Sequence, residues 1–517
     1  MSYPGAFAQS TPEKPAVIFG PTGEQVTYAE LNDRSIRLAN LLRDSGLVAG
    51  DAIAVLAENH VRYFEIYWAA IRAGYYITPI NSHLAPEEIA YQVVDSNSKA
   101  FISTLRMAGE ARPVLEQIDP SVRRLMIDGT VSGFESYEQA IAGASAEQPS
   151  EQPRGDAMLY SSGTTGRPKG IKRALRDVQV DDPSVSFSML SLTRDADSSV
   201  VYLVPAPLYH GAALFWSSSV HTLGGTVIVM PKFGPEEFLG AIERFGVTHA
   251  QVVPTMLIRI LKLPSERRLA YDLSSLRSLI HAAAPCPPEA KEQFIEWLGP
   301  IVDEYYSGTE GSGITFITSQ EWLNHRGSVG RPILGIPHIC DEFGDELPVG
   351  TPGTIYFEQP RAPFEYHGDD RKTRESRHPR HGNWTAIGDV GYLDQDGYLY
   401  LTDRRSFMII SGGVNIYPAE IESCLIMNEK VADVAVFGLP DPEMGEFVQA
   451  VVQLAPGLQP AEETQDELRA FIRSHLAGYK VPRRIDFRAE LPRLETGKLA
   501  KHLLRQEYLA AADLSGR

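Results

Sequence analysis

Between Tyr160 and Gly170 the chain reads YSSGTTGRPKG, a run of hydroxyls, glycines, a proline and a lysine that follows the apolar segment Ala157 to Leu159. Gly163 and Gly166 let backbone N–H groups turn toward an anion without a side chain in the way. Ser161, Ser162, Thr164 and Thr165 add hydroxyl donors, and Lys169 supplies positive charge where a polyphosphate would lie. The spacing is not that of a Walker loop, since no Gly-x-x-x-x-Gly-Lys-Ser/Thr pattern can be laid on it, nor that of a dinucleotide-binding turn. A flexible Gly/Ser/Thr linker is the plain alternative. A linker has no use for Pro168 and Lys169 held between two glycines, so the stretch reads as a strand feeding a phosphate-gripping loop.

Further motifs follow in order: PLYHG at Pro207 to Gly211, AAAP at Ala282 to Pro285, EYYSGTEG at Glu304 to Gly311 and GSVGRP at Gly327 to Pro332. IGDVGYLDQDGYLYLTDR spans Ile387 to Arg404, SGGVNIYPAEIE spans Ser411 to Glu422, and LPRLETGKL spans Leu491 to Leu499. Together with the loop they resemble the adenylate-forming superfamily of acyl- and aryl-CoA ligases, firefly-type luciferases and peptide-synthetase adenylation domains. The resemblance covers most of the chain. Wording such as HAAAPCP and EYYSGTEG is most similar to bacterial ligases of fatty, steroid-like or phenylpropanoid acids.

The resemblance implies a reaction in two halves. A carboxylate attacks the α-phosphate of ATP to give an acyl-adenylate and pyrophosphate, and the thiol of coenzyme A then displaces AMP. The first half joins two anions, so it needs positioning and positive electrostatics more than a nucleophilic side chain. By the same resemblance the loop from Ser161 to Lys169 holds the β- and γ-phosphates. Glu310, preceded by Thr309, binds Mg²⁺, a hard cation that prefers oxygen ligands. Tyr306 stacks on adenine, with Ala283, Ala284 and Pro285 along the other side of the base. Asp389 accepts the ribose hydroxyls and Arg404 assists it. Lys498 is the catalytic lysine that stabilises the transition state between carboxylate and α-phosphate.

By the same resemblance His210 borders the acyl pocket, where it is expected to gate substrate rather than transfer protons. The resemblance also implies that Gly412 and Gly413 belong to a loop that lines a pantetheine tunnel in the second half-reaction, where glycine permits close backbone approach. Taken alone each of these residues has a bland reading. Thr-Glu is a common dipeptide, Asp-Gly a hairpin turn, Lys498 a solvated charge, His210 a half-buried side chain, and Gly412-Gly413 a turn ahead of a helix. One position departs from the family: Ser406 stands where relatives commonly carry Asp or Lys, which removes a charge from the hinge.

The elements that must position these residues alternate in the first part of the chain. Thr27 and Glu30 form a capping box ahead of a helix carrying Leu31, Leu38 and Leu42. Strand Ala52 to Leu56, helix Arg62 to Ala73, strand Tyr75 to Ile80, helix Pro86 to Asp95 and strand Ala100 to Thr104 follow, which means a parallel sheet with crossover helices. Ala142 to Gly155 reads as a surface connection. Alternation resumes with strands near Val200 to Val204, Thr226 to Met230 and Ala250 to Val253. It restarts on a smaller scale with strands Val431 to Phe437 and Val448 to Leu454, helix Glu463 to Leu476 and strand Arg484 to Phe487. The expected fold is α/β: a large N-terminal domain of layered subdomains over residues 1–403 and a small mobile C-terminal domain over 404–517. The family resemblance puts the hinge at Asp403 to Ser406.

A chain of 517 residues is long enough to bury a large core. Hydrophobic residues make up 43% and charged residues 22%, and no apolar run approaches the ~20 residues that span a bilayer. The N-terminus lacks a charged region followed by an apolar core, so a cytoplasmic protein is expected. Cys286, Cys340 and Cys424 form no Cys-x-x-Cys pair, which argues against structural zinc and disulfides. Forty-eight basic residues against 66 acidic ones give a formal charge of −18, which disfavours nucleic acid and anionic membranes as partners. The basic run Arg371, Lys372, Arg374, Arg377 and Arg380, interleaved with His378 and His381, reads as a solvated loop.

Partners are therefore a small carboxylic acid, ATP with Mg²⁺, and coenzyme A, in the service of fatty-acid or aryl-acid metabolism. Leu208 to Val220, rich in Ala, Phe, Trp and Ser, suits an apolar acyl pocket, and core packing accounts for it equally well. No carrier-protein serine motif is seen, which favours a free-standing ligase. The oligomeric state is open, a homodimer among the options. Two other readings stand beside the CoA ligase: an adenylate-forming enzyme that passes its acyl group to an amine, a carrier protein or oxygen, and a nucleotide-binding protein that has lost catalysis.

Overall fold

The computed structural model describes residues 3–161, 168–182, 190, 193, 195–404, 407–493 and 499–515. The chain forms two compact units. One comprises Met1–Val252, Leu263–Leu279 and Phe364–Thr373, and the other Val253–Lys262, Ile280–Pro363 and Arg374–Arg517.

In the first unit the capping box is present: Glu30 N donates to Thr27 Oγ1 at 3.2 Å and Thr27 N to Glu30 Oε2 at 2.8 Å. It opens helix Tyr28–Asp44, whose Leu31, Leu38 and Leu42 are buried. Strands Ala52–Leu56 and Tyr76–Ile80 are buried on both faces, as crossover helices require of a parallel sheet. They lie at the centre of six parallel strands in the order Glu135–Ser136, Arg123–Ile127, Ser98–Thr104, Ala52–Leu56, Tyr76–Ile80, Asp156–Ala157. A second sheet sets His249–Val252, Val201–Val204, Thr226–Val229 and Pro15–Phe19 in parallel, with Gln25–Thr27 antiparallel at the edge.

A histidine locks this second layer. Trp68 Nε1 donates to His221 Nδ1 at 3.1 Å, which leaves the His221 proton on Nε2, facing the Ala16 carbonyl at 3.1 Å. Burial pushes the His221 imidazole down to about 4, so it is neutral in the folded protein.

The second unit is largely antiparallel. Its main sheet runs Val302–Ser307, Ile314–Ile317, Ser328–Leu334, Leu399–Arg404, Asp389–Leu393, Gly353–Glu358, Ile336–Cys340. Most of the connections here are too short for crossover helices, and several close on Asx turns. Asp394 Oδ1, for example, accepts the N–H groups of Asp396 and Tyr398. A smaller sheet orders Val414–Ile416, Ile409–Ser411, Gly445–Leu454 and Val431–Asp441, and Arg484–Phe487 joins Gly445–Leu454 in parallel. The alternation in this part of the sequence suggests crossovers, but Val431–Asp441 and Gly445–Leu454 pair as an antiparallel hairpin, because three residues cannot hold a crossover. Helices Pro418–Ile426 and Glu462–His475 bury Ile421, Leu425, Leu468 and Ile472 in one core with Val434, Val436, Ala450 and Val452.

All three cysteines are free thiols. Among the described residues no helix is long and apolar enough to cross a membrane.

Candidate active site

Strands Leu159–Ser161 and Lys169–Lys172, which flank the expected phosphate-gripping segment, pair antiparallel, Lys169 opposite Ser161. Ser162, Gly163, Thr164, Thr165 and Gly166 lie outside the described residues, as do Lys498 and Ser406 at the expected hinge. Lys169 is described, and its ammonium lies 3.2 Å from Asp369 Oδ2. The Lys372 N–H and then the Lys169 ammonium hold the Asp369 carboxyl below its usual range. The sequence motifs do not point to Asp369. The only local signal is its place after Gly368 in a turn.

Also in the first unit, His210 is the N-cap of helix Gly211–Leu223 and its ring lies 4.5 Å from that of Tyr209. Ala213, Leu214, Trp216 and Val220 of this helix are buried, so most of the stretch suited to an acyl pocket is core, whereas Phe215 is exposed.

In the second unit the structure brings the expected adenosine residues together. Tyr306, on strand Val302–Ser307, donates its hydroxyl to Asp389 Oδ2 at 2.6 Å. Asp389 begins strand Asp389–Leu393 and sits directly opposite Arg404 in the ladder. The strand carrying Tyr306 is anchored from beneath. Lys291 Nζ donates to Glu304 Oε2 at 2.7 Å, with both residues buried, and ties helix Pro288–Leu298 to that strand. Burial, and next the Lys291 charge, keep His281 neutral beside the pair, 3.4 Å from the same oxygen. His281 leads directly into the AAAP segment. There Ala283 adopts φ +77°, a left-handed conformation that costs a non-glycine residue about 1 kcal/mol or more. Ala283 and Pro285 are exposed and Ala284 half-buried, so this wall presents small apolar surface to solvent.

After Tyr306 the chain makes a tight turn in which Gly311 N donates to the Gly308 carbonyl at 3.0 Å. Gln359 Nε2 holds the turn by donating to the carbonyls of Gly311 and Ser312, both at 2.7 Å. Glu310 is nearly buried on this turn. A Cβ at Gly308 would lie 2.6 Å from Ile387 Cδ1 and 3.1 Å from Glu310 Oε2, so glycine here leaves room for Ile387 and for the carboxylate beside it. The Glu310 carboxylate, with Thr309 next to it in the chain, is the hard oxygen donor that would hold Mg²⁺. Neither Gly308 nor Gln359 is marked by the motifs as supporting Glu310.

Gly412 and Gly413 form the two-residue turn between strands Ile409–Ser411 and Val414–Ile416, with φ of +57° and +78°. Two positive φ values are the type I′ pattern that favours glycine or asparagine. Gly412 N donates to the Met444 carbonyl at 2.8 Å, which pins the hairpin to the neighbouring turn, while the space around Gly413 is open. Asp403, at the expected hinge, accepts the N–H of Ala419 at 3.1 Å on the helix that follows this hairpin.

Comparison with known proteins follows the same lines. A family model described as AMP-binding enzyme matches residues 6–365, and one described as AMP-binding enzyme C-terminal domain matches residues 420–498. The feruloyl-CoA synthase of an Amycolatopsis species is 34% identical over 515 residues, 98% of each chain. ScoC of Streptomyces coeruleorubidus, a fatty acid–[acyl-carrier-protein] ligase, is 31% identical over 508 residues, 97% of this chain and 95% of that one. The solved structure of the amide bond synthetase McbA from Marinactinospora thermotolerans matches with a TM-score of 0.78 at 28% identity, over 98% of this chain and 100% of that one.

Proposed function

The chain belongs to the family of AMP-binding enzymes and is an ATP-dependent acid–thiol ligase, and from that premise we propose how its residues divide the work and which acids it takes. A carboxylic acid and ATP give acyl-adenylate and pyrophosphate, and coenzyme A then takes the acyl group and releases AMP. The observation that carries the assignment of residues is the contact of Tyr306 with Asp389, which lies opposite Arg404 on the next strand. It joins a ring that can stack on adenine to a carboxylate that can accept ribose hydroxyls.

Lys169 and the loop before it grip the β- and γ-phosphates. Thr309 and Glu310 hold Mg²⁺, which when bound neutralises charge on the phosphates. Lys498 is the catalytic lysine of adenylation, and Gly412 and Gly413 line the entry of pantetheine after the segment 404–517 moves about the hinge at Asp403 to Ser406. The gap between the two family matches, 366–419, contains that hinge and supports this division. ATP and coenzyme A as substrates, together with three free thiols, support a cytoplasmic location.

The acid is apolar, aromatic or fatty. Likeness to a feruloyl-CoA synthase and to a fatty-acid ligase supports this class, and His210 gates the pocket. A second reading, transfer of the acyl group to a carrier protein or an amine, draws support from the likeness to ScoC and to the amide bond synthetase. The test has two parts. Acid-dependent exchange of labelled pyrophosphate into ATP over a panel of hydroxycinnamic, fatty and steroid-like acids identifies the acid. AMP release on adding free coenzyme A, compared with amines, identifies the acceptor. No exchange with any apolar acid would overturn the substrate class, and AMP release with amines alone would overturn the thiol as acceptor.

A further inference from the structure

We propose that Asp369 is the internal counter-ion of the phosphate lysine: it holds Lys169 when no polyphosphate is bound, yields it to ATP, and takes it back as pyrophosphate leaves. The inference rests on the phosphate role of Lys169 given above. It begins with sheet register. Strand Lys169–Lys172 pairs with strand Glu365–Tyr366, Ile171 opposite Tyr366 and Lys172 opposite Glu365, and His367 N extends the ladder by donating to the Gly170 carbonyl at 2.8 Å. The chain then reverses. Gly368 takes φ +65°, a conformation that favours glycine, and Asp369 N donates to the Tyr366 carbonyl at 3.1 Å. This turn carries Asp369 back toward Lys169.

The two carboxylate oxygens have separate tasks. Asp369 Oδ1 accepts the N–H of Lys372 at 2.9 Å, the first turn of the helix Asp370–Glu375, and Oδ2 faces the Lys169 ammonium at 3.2 Å. One oxygen fixes the carboxylate on the backbone and the other is left for the lysine. Both side chains keep some exposure, 32% for Lys169 and 19% for Asp369. An ammonium–carboxylate pair open to water is weak, so the contact is readily exchanged. A polyphosphate offers the same ammonium several charged oxygens in place of two. The contact therefore lowers the affinity of the site for every polyphosphate by the fraction of time that Lys169 is held, and it speeds release of the pyrophosphate product. Asp369 acts through Lys169, as a positioning residue.

The experiment is a double-mutant cycle read by calorimetric binding of inorganic pyrophosphate and of ATP. Asp369→Asn keeps an oxygen for the Lys372 N–H and removes the charge. It should tighten binding of both ligands about two- to fivefold, the range expected for breaking one partly exposed pair. Asp369→Glu, which keeps the charge, should bind close to wild type. In the Lys169→Met background Asp369→Asn should change neither affinity. Weaker or unchanged binding by Asp369→Asn would overturn the proposal, and so would equal tightening with and without Lys169. A Lys169→Met protein that binds pyrophosphate as wild type does would overturn the phosphate role of Lys169 itself, a separate failure.

Discussion

The Tyr306 hydroxyl donates to Asp389 Oδ2 at 2.6 Å, so the residue assigned to adenine also orients the carboxylate assigned to ribose. The two roles are thus mechanically linked. Tyr306→Phe keeps the ring and removes the orienting bond, and is expected to weaken ATP binding about threefold to tenfold, because a hydrogen bond to a charged group contributes roughly 1 kcal/mol or more. Asp389→Ala removes the acceptor altogether and should weaken ATP binding by tenfold or more. Calorimetry on both variants checks this, and equal ATP affinity in wild type and Asp389→Ala would falsify the ribose role.

Lys498→Ala should abolish adenylate formation while leaving ATP binding largely intact, since the lysine is assigned to the transition state rather than to the ground state. Loss of such a contact costs about 3 kcal/mol or more, a hundredfold or greater in rate. Thioester formation from a supplied acyl-adenylate should survive. Wild-type rates of pyrophosphate exchange in this variant would remove Lys498 from the chemistry.

Local signals carried well into the fold where a residue pattern maps onto one element. The Thr27–Glu30 box sits at the start of its helix, and helix Pro86–Asp95 and strands Ala52–Leu56 and Arg484–Phe487 keep the bounds their patterns suggest. The antiparallel sheet between Val302 and Arg404 was legible only as motifs, because its short strands and tight turns show no helical alternation to count. In the site, Asp389 and Arg404, which the motifs name together, lie opposite each other in one ladder. The pairing of Lys169 with Asp369 does not follow from local pattern, because strand Glu365–Tyr366 joins strand Lys169–Lys172 from far along the chain. The helix Gly211–Leu223 shows the opposite limit: its apolar wording fits pocket and core alike, and burial of Trp216 and Val220 assigns those residues to the core.

His221 makes stability depend on pH in a defined window. Its folded value of about 4 lies below the ordinary 6.5, so protonation favours the unfolded chain. The stabilisation is fully present above pH 6.5 and is lost as the pH falls through about 4. The amount is on the order of 3 kcal/mol. His221→Gln offers the Trp68 N–H an acceptor that does not titrate. It should be less stable than wild type at pH 7, and the gap should narrow steadily toward pH 4.5 in urea denaturation. A gap that stays constant over that range would show that His221 does not control the acid limb.

A replacement at Gly413 can test whether the two half-reactions separate. Its φ of +78° means that a β-branched or large aliphatic replacement would strain the hairpin whatever its effect on coenzyme A. Asparagine tolerates that conformation and suits a type I′ turn, and the space around Gly413 is open, so Gly413→Asn adds bulk without breaking strands Ile409–Ser411 and Val414–Ile416. With the loop assigned to pantetheine entry, Gly413→Asn should slow thioester formation at least tenfold and leave adenylation near wild type, so that acyl-adenylate accumulates. Single-turnover kinetics with labelled ATP, following acyl-adenylate and acyl-CoA separately, reads both steps in one experiment. Parallel loss of the two half-reactions would mean that the hairpin only supports the fold, and an unchanged thioester rate would take it off the path of coenzyme A.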